Sequence, residues 1–242
     1  MDHTLCDIHM HLAPGVDDGA AGMEDSLRMI LAAREQGIRQ IFATPHSFAF
    51  DRDPRAVQKA FAALQETAAR FFPDMALFPG CEILCDPYSM DSTLEALASG
   101  KYPSLNGTRF VLTEFSPWST AEAARQCLDS LRNAGWIPVI AHVERYPFLQ
   151  GKWNTLYYFR ELGCLFQINA YSLAEEQDPA IQGFAREMVS RKLADFLGTD
   201  AHRPNHRPPR AESAVRWLLE NCDETYTRRL LRENAGQLLT AK

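Results

Sequence analysis

Short apolar segments alternate with longer amphipathic segments along most of the chain. The short segments have the length of buried strands, and the longer ones repeat their apolar residues with a helical period of about 3.6. Leu27, Ile30 and Leu31, for example, share one face of a helix that Gly37 terminates. The strands are predicted at about Leu5–His9, Gln40–Thr44, Met75–Cys81, Phe110–Glu114, Ile137–Ala141, Cys164–Ile168 and Ala194–Gly198.

The segments between these strands carry the start and stop signals of helices. Asp53-Pro54 and Asp178-Pro179 each place an acid at the N-cap and a proline at the first helical position. Gly135 follows another amphipathic segment as a stop. The helices are predicted at about Met23–Gln36, Pro54–Phe71, Thr120–Ala134, Trp153–Glu161 and Pro179–Lys192, with two or three more in Ala211–Leu239.

The alternation of strand and helix, repeated about seven times, predicts parallel strands joined by crossover helices. No segment rich in glycine, serine or proline divides the chain, and 242 residues suit one large domain. We therefore expect one α/β barrel-like domain over residues 1–242, closed by the helices of residues 211–239. A doubly wound open sheet is the alternative, but no Gly-x-Gly-x-x-Gly motif follows the first strand.

The composition is that of an ordinary globular enzyme and argues against several classes of protein. Hydrophobic residues make up 46% of the chain and charged residues 23%. A net charge of −6 argues against nucleic acid as the partner. No apolar run reaches the roughly 18 residues of a transmembrane helix, and the amino terminus lacks an apolar leader. We expect a cytoplasmic protein without membrane insertion.

The six cysteines are scattered and form no Cys-x-x-Cys pair, which favours buried free thiols in a reducing compartment. Cys222 and Arg228 do satisfy the Cys-x5-Arg spacing of cysteine-dependent phosphatases. The residues between them include two carboxylates that would repel phosphate and no glycine that would open a backbone anion site. We interpret this spacing as a coincidence.

Side chains that can bind a metal follow nearly every predicted strand. The carboxyl ends of the strands converge on one face of an α/β barrel, so these side chains are expected to form one site. Each of them alone could be an ordinary buried histidine, a helix cap or a turn residue, but all of them recur at the same end of successive strands. They are His9, His11, Asp17, Asp18, His46, Glu82, Glu114, His142, Glu144, Asp200 and His202, with Gln167 and Asn169 after the sixth strand.

The chemistry of this set points to several metal ions. His9 and His11 stand two residues apart, so an extended strand aims both imidazoles at one point. The donors are nitrogen and oxygen without cysteine, which favours Mn, Fe or Zn in a catalytic site over a structural zinc site. Eight or nine ligands are too many for one ion, so two or three clustered ions are expected, with Glu82 able to bridge them. Such clusters typically hydrolyse phosphate esters.

Two arginines are placed to bind an anion beside this set. Arg145 lies three residues after His142, and Arg207 lies in the proline-stiffened segment after His202. Guanidinium groups match phosphate oxygens in a bidentate arrangement. Beside a metal cluster, the phosphate-binding interpretation is favoured over that of two surface charges.

The same residues resemble known sequence motifs. Asp7-Ile8-His9-Met10-His11, Asp17-Asp18-Gly19 and Ala43-Thr44-Pro45-His46 resemble the PHP (polymerase and histidinol phosphatase) superfamily. Other segments resemble the bacterial manganese-dependent protein-tyrosine phosphatases of capsule and exopolysaccharide operons. These segments are Gly80-Cys81-Glu82-Ile83, Leu112-Thr113-Glu114-Phe115, Ile140-Ala141-His142-Val143-Glu144-Arg145-Tyr146, Gly198-Thr199-Asp200-Ala201-His202 and Arg207-Pro208-Pro209.

The resemblance implies a distorted (β/α)7 barrel with a trinuclear metal centre, loaded with Mn²⁺ and with Fe or Zn as the other candidates. Asp18 rather than Asp17 matches the family's ligand position. Arg145 and Arg207 match its phosphate-contacting arginines. The implied metal ligands are His9, His11, Asp18, His46, Glu82, Glu114, His142, Asp200 and His202.

The resemblance also implies an activity and a partner. The activity is hydrolysis of phosphotyrosine. Our own hypothesis for the mechanism is in-line attack by a metal-bridging hydroxide, in which the phenol, with a pKa of about 10, leaves without needing a dedicated general acid, and His206 is the candidate if one is used. The partner is the tyrosine-rich tail of a membrane-associated tyrosine kinase that controls polysaccharide assembly. Ser47-Phe48 departs from relatives that carry a basic residue or a second histidine there, which leaves substrate preference open. The alternatives are a small-molecule phosphatase acting on histidinol phosphate, a less favoured nucleic-acid phosphodiesterase and a non-catalytic PHP interaction module.

Overall fold

A computed structural model describes residues 4–176 and 178–240 of the chain. Residues 1–3, 177 and 241–242 of the predicted domain lie outside the described residues. The strands are β1 (Leu5–Met10), β2 (Ile38–Ala43), β3 (Ala76–Pro79), β4 (Glu82–Leu84), β5 (Phe110–Glu114), β6 (Ile137–Ile140), β7 (Leu165–Asn169) and β8 (Phe196–Gly198).

Helices connect these strands and follow the last of them. The caps expected at Asp53 and Asp178 form, because each carboxylate accepts hydrogen bonds from main-chain N–H groups of the first helical turn. The α-helices are α1 (Met23–Glu35), α2 (Ser47–Arg52), α3 (Pro54–Phe71), α4 (Met90–Ala98), α5 (Ala121–Asn133), α6 (Trp153–Glu161), α7 (Ala170–Ala174), α8 (Pro179–Ser190), α9 (Glu212–Asn221), α10 (Glu224–Arg228) and α11 (Gly236–Thr240). No helix in the described ranges has both the length and the apolar character needed to cross a bilayer.

The strands form two parallel sheets that meet at both edges. The first sheet has the order β1-β2-β3 and the second β4-β5-β6-β7-β8. Single bridges from Met10 to Ala201 and from His46 to Glu82 join them. At these seams His11 N donates to Ala201 O over 2.9 Å and Glu82 N donates to Pro45 O over 3.1 Å. The fold is thus the predicted distorted barrel, with its strands held at the seams by isolated contacts rather than a continuous ladder.

The strand predicted at Met75–Cys81 forms as β3 over Ala76–Pro79, but strand β4, which follows from Glu82, was not predicted. The chain changes sheets there, so that β3 pairs with β2 and β4 pairs with β5. Gly80 lies at the change and packs closely, since a Cβ there would lie 2.9 Å from side-chain carbons of both Leu105 and Thr44. Glu82 therefore begins a strand instead of following one. The short helices α2, α4 and α7 were also not predicted.

Two apolar clusters stabilise the barrel. Side chains such as Ile8, Phe42 and Leu112 pack inside the ring of strands, and a larger cluster lies between the strands and the surrounding helices. Leu238 of α11 belongs to the inner cluster, and the amide of Asn106, just before β5, donates to its main-chain oxygen over 3.3 Å. The carboxy-terminal helices therefore cover the amino ends of the strands and leave the carboxyl ends open.

Candidate metal centre

Seven of the nine predicted ligands line a cleft of about 340 Å³ at the carboxyl ends of the strands. The other two, His9 and His11, are completely buried and contact Glu82 and Asp200 of that lining. Phe115, Pro117 and Ile181 form an apolar part of the cleft wall, and Arg145 and Arg207 line it as well. Three groups of donor atoms each fall within 4.8 Å of one another. These groups are His11, Asp18, His46 and His202; His9, His11 and Glu82; and His46, Glu82 and Glu114.

A β-bulge in β1 helps to aim His9 at His11. Asp7 pairs with Ile41 and Met10 with Ala43. Between these two pairs β1 has one residue more than β2, which is the extra residue of a bulge. Ile8 packs in the inner core cluster, and His9 turns its ring toward His11. The Nε2 atoms of His9 and His11 lie 3.3 Å apart, and both side chains are completely buried.

Hydrogen bonds on the far side of three imidazoles leave their Nε2 atoms directed into the cluster. In each ring the Nδ1–H donates to an acceptor outside the cluster, which fixes the tautomer that offers a lone pair at Nε2. The acceptors are Gln167 Oε1 for His9 (3.1 Å), Asp17 Oδ2 for His11 (2.8 Å) and the main-chain oxygen of Asp200 for His202 (2.9 Å).

Glu82 occupies the middle of the cluster and contacts four imidazoles. Its side chain is 1% exposed. Oε1 lies 2.8 Å from His142 Nε2 and 3.2 Å from His9 Nε2. Oε2 lies 3.2 Å from His11 Nε2 and 3.1 Å from His46 Nδ1. A carboxylate with each oxygen between two imidazoles has the arrangement expected of a bridging ligand.

The remaining carboxylates surround this centre. Glu114 Oε1 lies 3.0 Å from His46 Nδ1. Asp18 is more exposed, with Oδ1 3.4 Å from His46 Nε2 and 3.6 Å from His202 Nε2. Asp200 Oδ1 lies 3.6 Å from the Nε2 atoms of both His9 and His11. Every predicted ligand thus contacts at least one other.

The electrostatics of the cluster favour bound cations. Burial acts to lower the pKa of His9, but the charges of Glu82 and Asp200 outweigh it and raise that pKa to about 9. Burial likewise opposes ionisation of Glu82, yet the neighbouring imidazoles of His9, His11 and His142 hold its pKa well below the usual range. Burial and the charges of His11 and Arg207 lower the pKa of His202 to about 4.

The residues present fit a group of divalent metal ions. Glu82 Oε2 and His142 Nδ1 are buried, and neither makes a hydrogen bond within the described part of the chain. Four carboxylates and five imidazoles form an oxygen and nitrogen donor set of the kind that Mn, Fe and Zn accept. Cations at these positions would satisfy the buried atoms and the excess negative charge together.

Both predicted phosphate-binding arginines line the cleft and contact Asp200. The Arg145 Nη1 atom lies 3.4 Å from Asp200 Oδ2, and Arg207 Nη2 donates a hydrogen bond to the same oxygen. Each guanidinium remains partly exposed on the cleft side. The two cations therefore lie beside the cluster with donors still available to an anion.

The structure separates other candidate residues from the cleft. His206 is exposed and is not part of the cleft wall. Glu144 points away from the cluster, where Oε1 accepts from Asn169 N and Ser172 Oγ. Arg228 pairs with Glu233, and burial raises the pKa of the Cys222 thiol. The Cys-x5-Arg segment is therefore not an anion site.

Three residues that sequence reasoning left without a role lie directly behind the ligands. Asp17 holds His11 and also accepts from His46 N over 3.1 Å. Gln167 and Asn169 contact the ligands from β7. Their position after a strand was a visible signal, but an amide behind a ligand has no spacing of its own. At the divergent loop, Phe48 stacks on the His46 ring with centroids 5.3 Å apart.

The fold and the site define an α/β barrel of the PHP type, with five histidines, four carboxylates and two arginines gathered at one end. The chain belongs to the family described as capsular polysaccharide synthesis, CpsB/CapC, which it matches over residues 5–240.

Proteins with assigned activities resemble the chain over nearly its whole length. It is 33% identical over 237 residues to the tyrosine-protein phosphatase YwqE of Bacillus subtilis, covering 97% of this chain and 91% of YwqE. It is 28% identical over 242 residues to the tyrosine-protein phosphatase CpsB of Streptococcus agalactiae, covering 97% and 98% of the two chains.

A solved structure shares the fold closely. It comes from work on YwqE of Bacillus subtilis and CpsB of Streptococcus pneumoniae, described there as unique metal-dependent tyrosine phosphatases. The TM-score is 0.86 at 33% identity, over 97% of this chain and 94% of the other. The family resemblance expected from the motifs is confirmed.

Proposed function

We propose that this protein is a metal-dependent tyrosine-protein phosphatase. The observation that carries the proposal is the convergence of nine candidate metal ligands and two arginines at one cleft. Seven of the ligands and both arginines line the cleft, and His9 and His11 lie buried against Glu82 and Asp200. The names of the relatives support it, because YwqE and CpsB are tyrosine-protein phosphatases and their structures are described as metal-dependent. Capsular polysaccharide synthesis, the family's description, supplies the biological setting.

We propose Mn²⁺ as the metal, with three ions held by the nine predicted ligands and with Fe or Zn as the other candidates. Glu82 is the proposed bridge, and the three groups of donors support more than one ion. Bound divalent ions supply hydroxide at neutral pH and neutralise the charge of a phosphate ester.

The protein's own side chains bind and orient the substrate. Arg145 and Arg207 bind the equatorial phosphate oxygens, whose charge increases in the transition state. Asp200 holds both guanidiniums in place before the substrate arrives. The phenol that leaves has a pKa of about 10, so it departs without a dedicated acid more readily than an alkoxide. The exposed position of His206 agrees with a mechanism that needs no general acid.

The proposed substrate is a phosphotyrosine protein, in particular the tyrosine-rich tail of a tyrosine kinase that controls polysaccharide assembly. The family description and the names of the relatives support this choice. We place the protein in the cytoplasm, where such tails are exposed and where its six free thiols stay reduced.

Turnover of three substrates tests the proposal. A phosphotyrosyl peptide, a phosphoseryl peptide of the same sequence and histidinol phosphate are compared at equal Mn²⁺. We expect the highest kcat/KM for the phosphotyrosyl peptide. Faster turnover of histidinol phosphate would favour the small-molecule alternative. No turnover of any phosphate ester by protein with its metals bound would favour the non-catalytic one.

A further inference from the structure

Strand β7 supplies none of the nine proposed ligands, yet it ends in two polar side chains inside the barrel. Gln167 and Asn169 are both completely buried. Burying an amide without partners is costly, so their hydrogen bonds determine why they are tolerated there. All of those bonds lead toward ligands.

The orientation of the Gln167 amide is fixed by its partners. Its Oε1 accepts from the main-chain N–H of His142 over 2.9 Å, and a main-chain N–H can only donate. The same oxygen lies 3.1 Å from His9 Nδ1, which must therefore carry a proton and donate it. This leaves the Nε2 lone pair of His9 for the cluster.

The direction of the hydrogen bonds continues through Asn169. Gln167 Nε2 donates to Asn169 Oδ1 over 2.9 Å, so the other side of the Asn169 amide carries the N–H groups. Asn169 Nδ2 donates to Asp200 Oδ2 over 3.0 Å. Arg145 and Arg207 contact the same oxygen, Oδ2 of Asp200. The other oxygen, Oδ1, therefore faces the imidazoles of His9 and His11.

Strand β8 carries a glycine where Gln167 packs against His9. A Cβ at Gly198 of β8 would lie 2.8 Å from the His9 Cβ and 2.9 Å from Gln167 Nε2. Only a residue without a side chain lets Gln167 and His9 lie against each other at that point. Residues of β1, β7 and β8 thus pack closely around the amide of Gln167.

We propose that Gln167 and Asn169 are positioning residues that set the tautomer of His9 and the orientation of Asp200 for metal binding. The inference rests on the proposed function in that it takes the cluster to hold metal ions. Partners behind metal ligands typically contribute about 10- to 100-fold in metal affinity. The purely structural alternative is that the amides only fill and stabilise the barrel.

The affinity of purified protein for Mn²⁺, measured by titration, separates the two roles. Gln167→Met and Asn169→Leu remove the hydrogen bonds at similar volume. Asn234→Leu is the matched control, because that buried amide donates to Asp195 O beneath the start of β8, away from the cleft. We expect all three variants to lose stability in urea. We expect only the first two to bind Mn²⁺ more weakly, by about 10- to 100-fold.

A fourth variant keeps the test decisive if Gln167→Met fails to fold. Gln167→Glu retains an acceptor for His9 Nδ1–H and His142 N–H but cannot donate to Asn169 Oδ1, so we expect it to lose Mn²⁺ affinity through Asn169 alone, about as much as Asn169→Leu. Equal Mn²⁺ affinity in the wild type, in Asn169→Leu and in whichever Gln167 variant folds would overturn the positioning role. Failure of the wild-type protein to bind Mn²⁺ would instead count against the proposed function.

Discussion

At the scale of single residues, backbone strain is concentrated at the candidate site. His142, Asp200 and Arg207 adopt the left-handed conformation, with φ of 32°, 53° and 57°. Such a conformation costs a residue with a side chain about 1–3 kcal/mol and persists only when its surroundings hold it. Hydrogen bonds do so here, from His142 N to Gln167 Oε1 and from Asp200 N to His9 O.

Arg207→Ala tests the proposed phosphate contact. Losing a charge-assisted hydrogen bond costs about 1.5–3 kcal/mol, so we expect kcat/KM for an aryl phosphate to fall about 10- to 100-fold. Arg210→Ala is the matched control, since Arg210 lies in the same loop and pairs with Glu175 at the surface. Equal turnover by Arg207→Ala and wild type would show that Arg207 does not bind the phosphate.

The raised pKa of His9 predicts how metal binding depends on pH. The metal-free protein keeps His9 protonated up to its pKa of about 9, above its ordinary 6.5. A metal ion must displace that proton, so Mn²⁺ affinity is expected to rise with pH up to about 9, by about tenfold per unit for each proton displaced.

The raised pKa of His9 also makes the folding stability of the metal-free protein depend on pH. Because the folded-state pKa of His9 is raised, its contribution to the stability of the metal-free protein is complete below 6.5 and is lost as the pH rises through about 9. Calorimetric Mn²⁺ titrations in two buffers of different ionisation enthalpy count the displaced protons. No proton release, with affinity independent of pH, would contradict the prediction.

The proximity of the candidate donor residues could be predicted from the sequence because metal-binding chemistry uses few residue types and the barrel places them at the ends of strands. His46 follows one apolar run and Glu114 ends another. The barrel topology alone was therefore enough to predict that the two side chains lie close together. The roles of Asp17, Gln167 and Asn169 could not be predicted. Each acts through hydrogen bonds to other segments of the chain, and such contacts leave no periodic pattern in the sequence.

At the scale of elements, the main difference from the sequence-based prediction is strand β4, which directly follows β3 but belongs to the other sheet. Hydrophobic periodicity marks a segment as buried and extended, but it does not show with which neighbour the segment pairs. The change of sheet at Gly80 brings Glu82 beside His46 through the single bridge between them. The change of sheet therefore places the carboxylate that we propose as the bridge.

Gly80→Ala tests the close packing at this change of sheet. The added Cβ would contact Leu105 and Thr44 at 2.9 Å, so we expect a loss of about 1–3 kcal/mol in the free energy of unfolding. Gly183→Ala is the control, because Gly183 lies within α8 and a Cβ there meets nothing within 4 Å. We expect that variant to gain about 0.5–1 kcal/mol. Urea unfolding that shows no loss for Gly80→Ala would refute the packing argument.

At the scale of the whole molecule, one end of the barrel is covered by helices and the other end is open. The carboxy-terminal helices cover the amino ends of the strands, where Leu238 packs into the inner core. The open end carries the cleft and the two seams between the sheets. Alternation of strand and helix was enough to predict this class of fold. It could not predict the seams, because they depend on single bridges between segments far apart in the sequence.

Cys222→Ser tests the separation of the thiols from the chemistry. Cys222 lies at the end of α9, and burial raises the pKa of its thiol, which therefore stays protonated at neutral pH. We expect full phosphatase activity in Cys222→Ser and resistance of the wild type to thiol-blocking reagents. Loss of activity in that variant would place the chemistry in the Cys-x5-Arg segment.

The most direct test of a metal-dependent phosphatase is hydrolysis of p-nitrophenyl phosphate before chelation, after chelation and after addition of Mn²⁺. We expect chelator to abolish activity and Mn²⁺ to restore it, because the proposed nucleophile depends on ions held by the histidine and carboxylate cluster. Activity that persists after complete removal of metal, verified by elemental analysis, would contradict the assignment of that cluster as the catalytic centre.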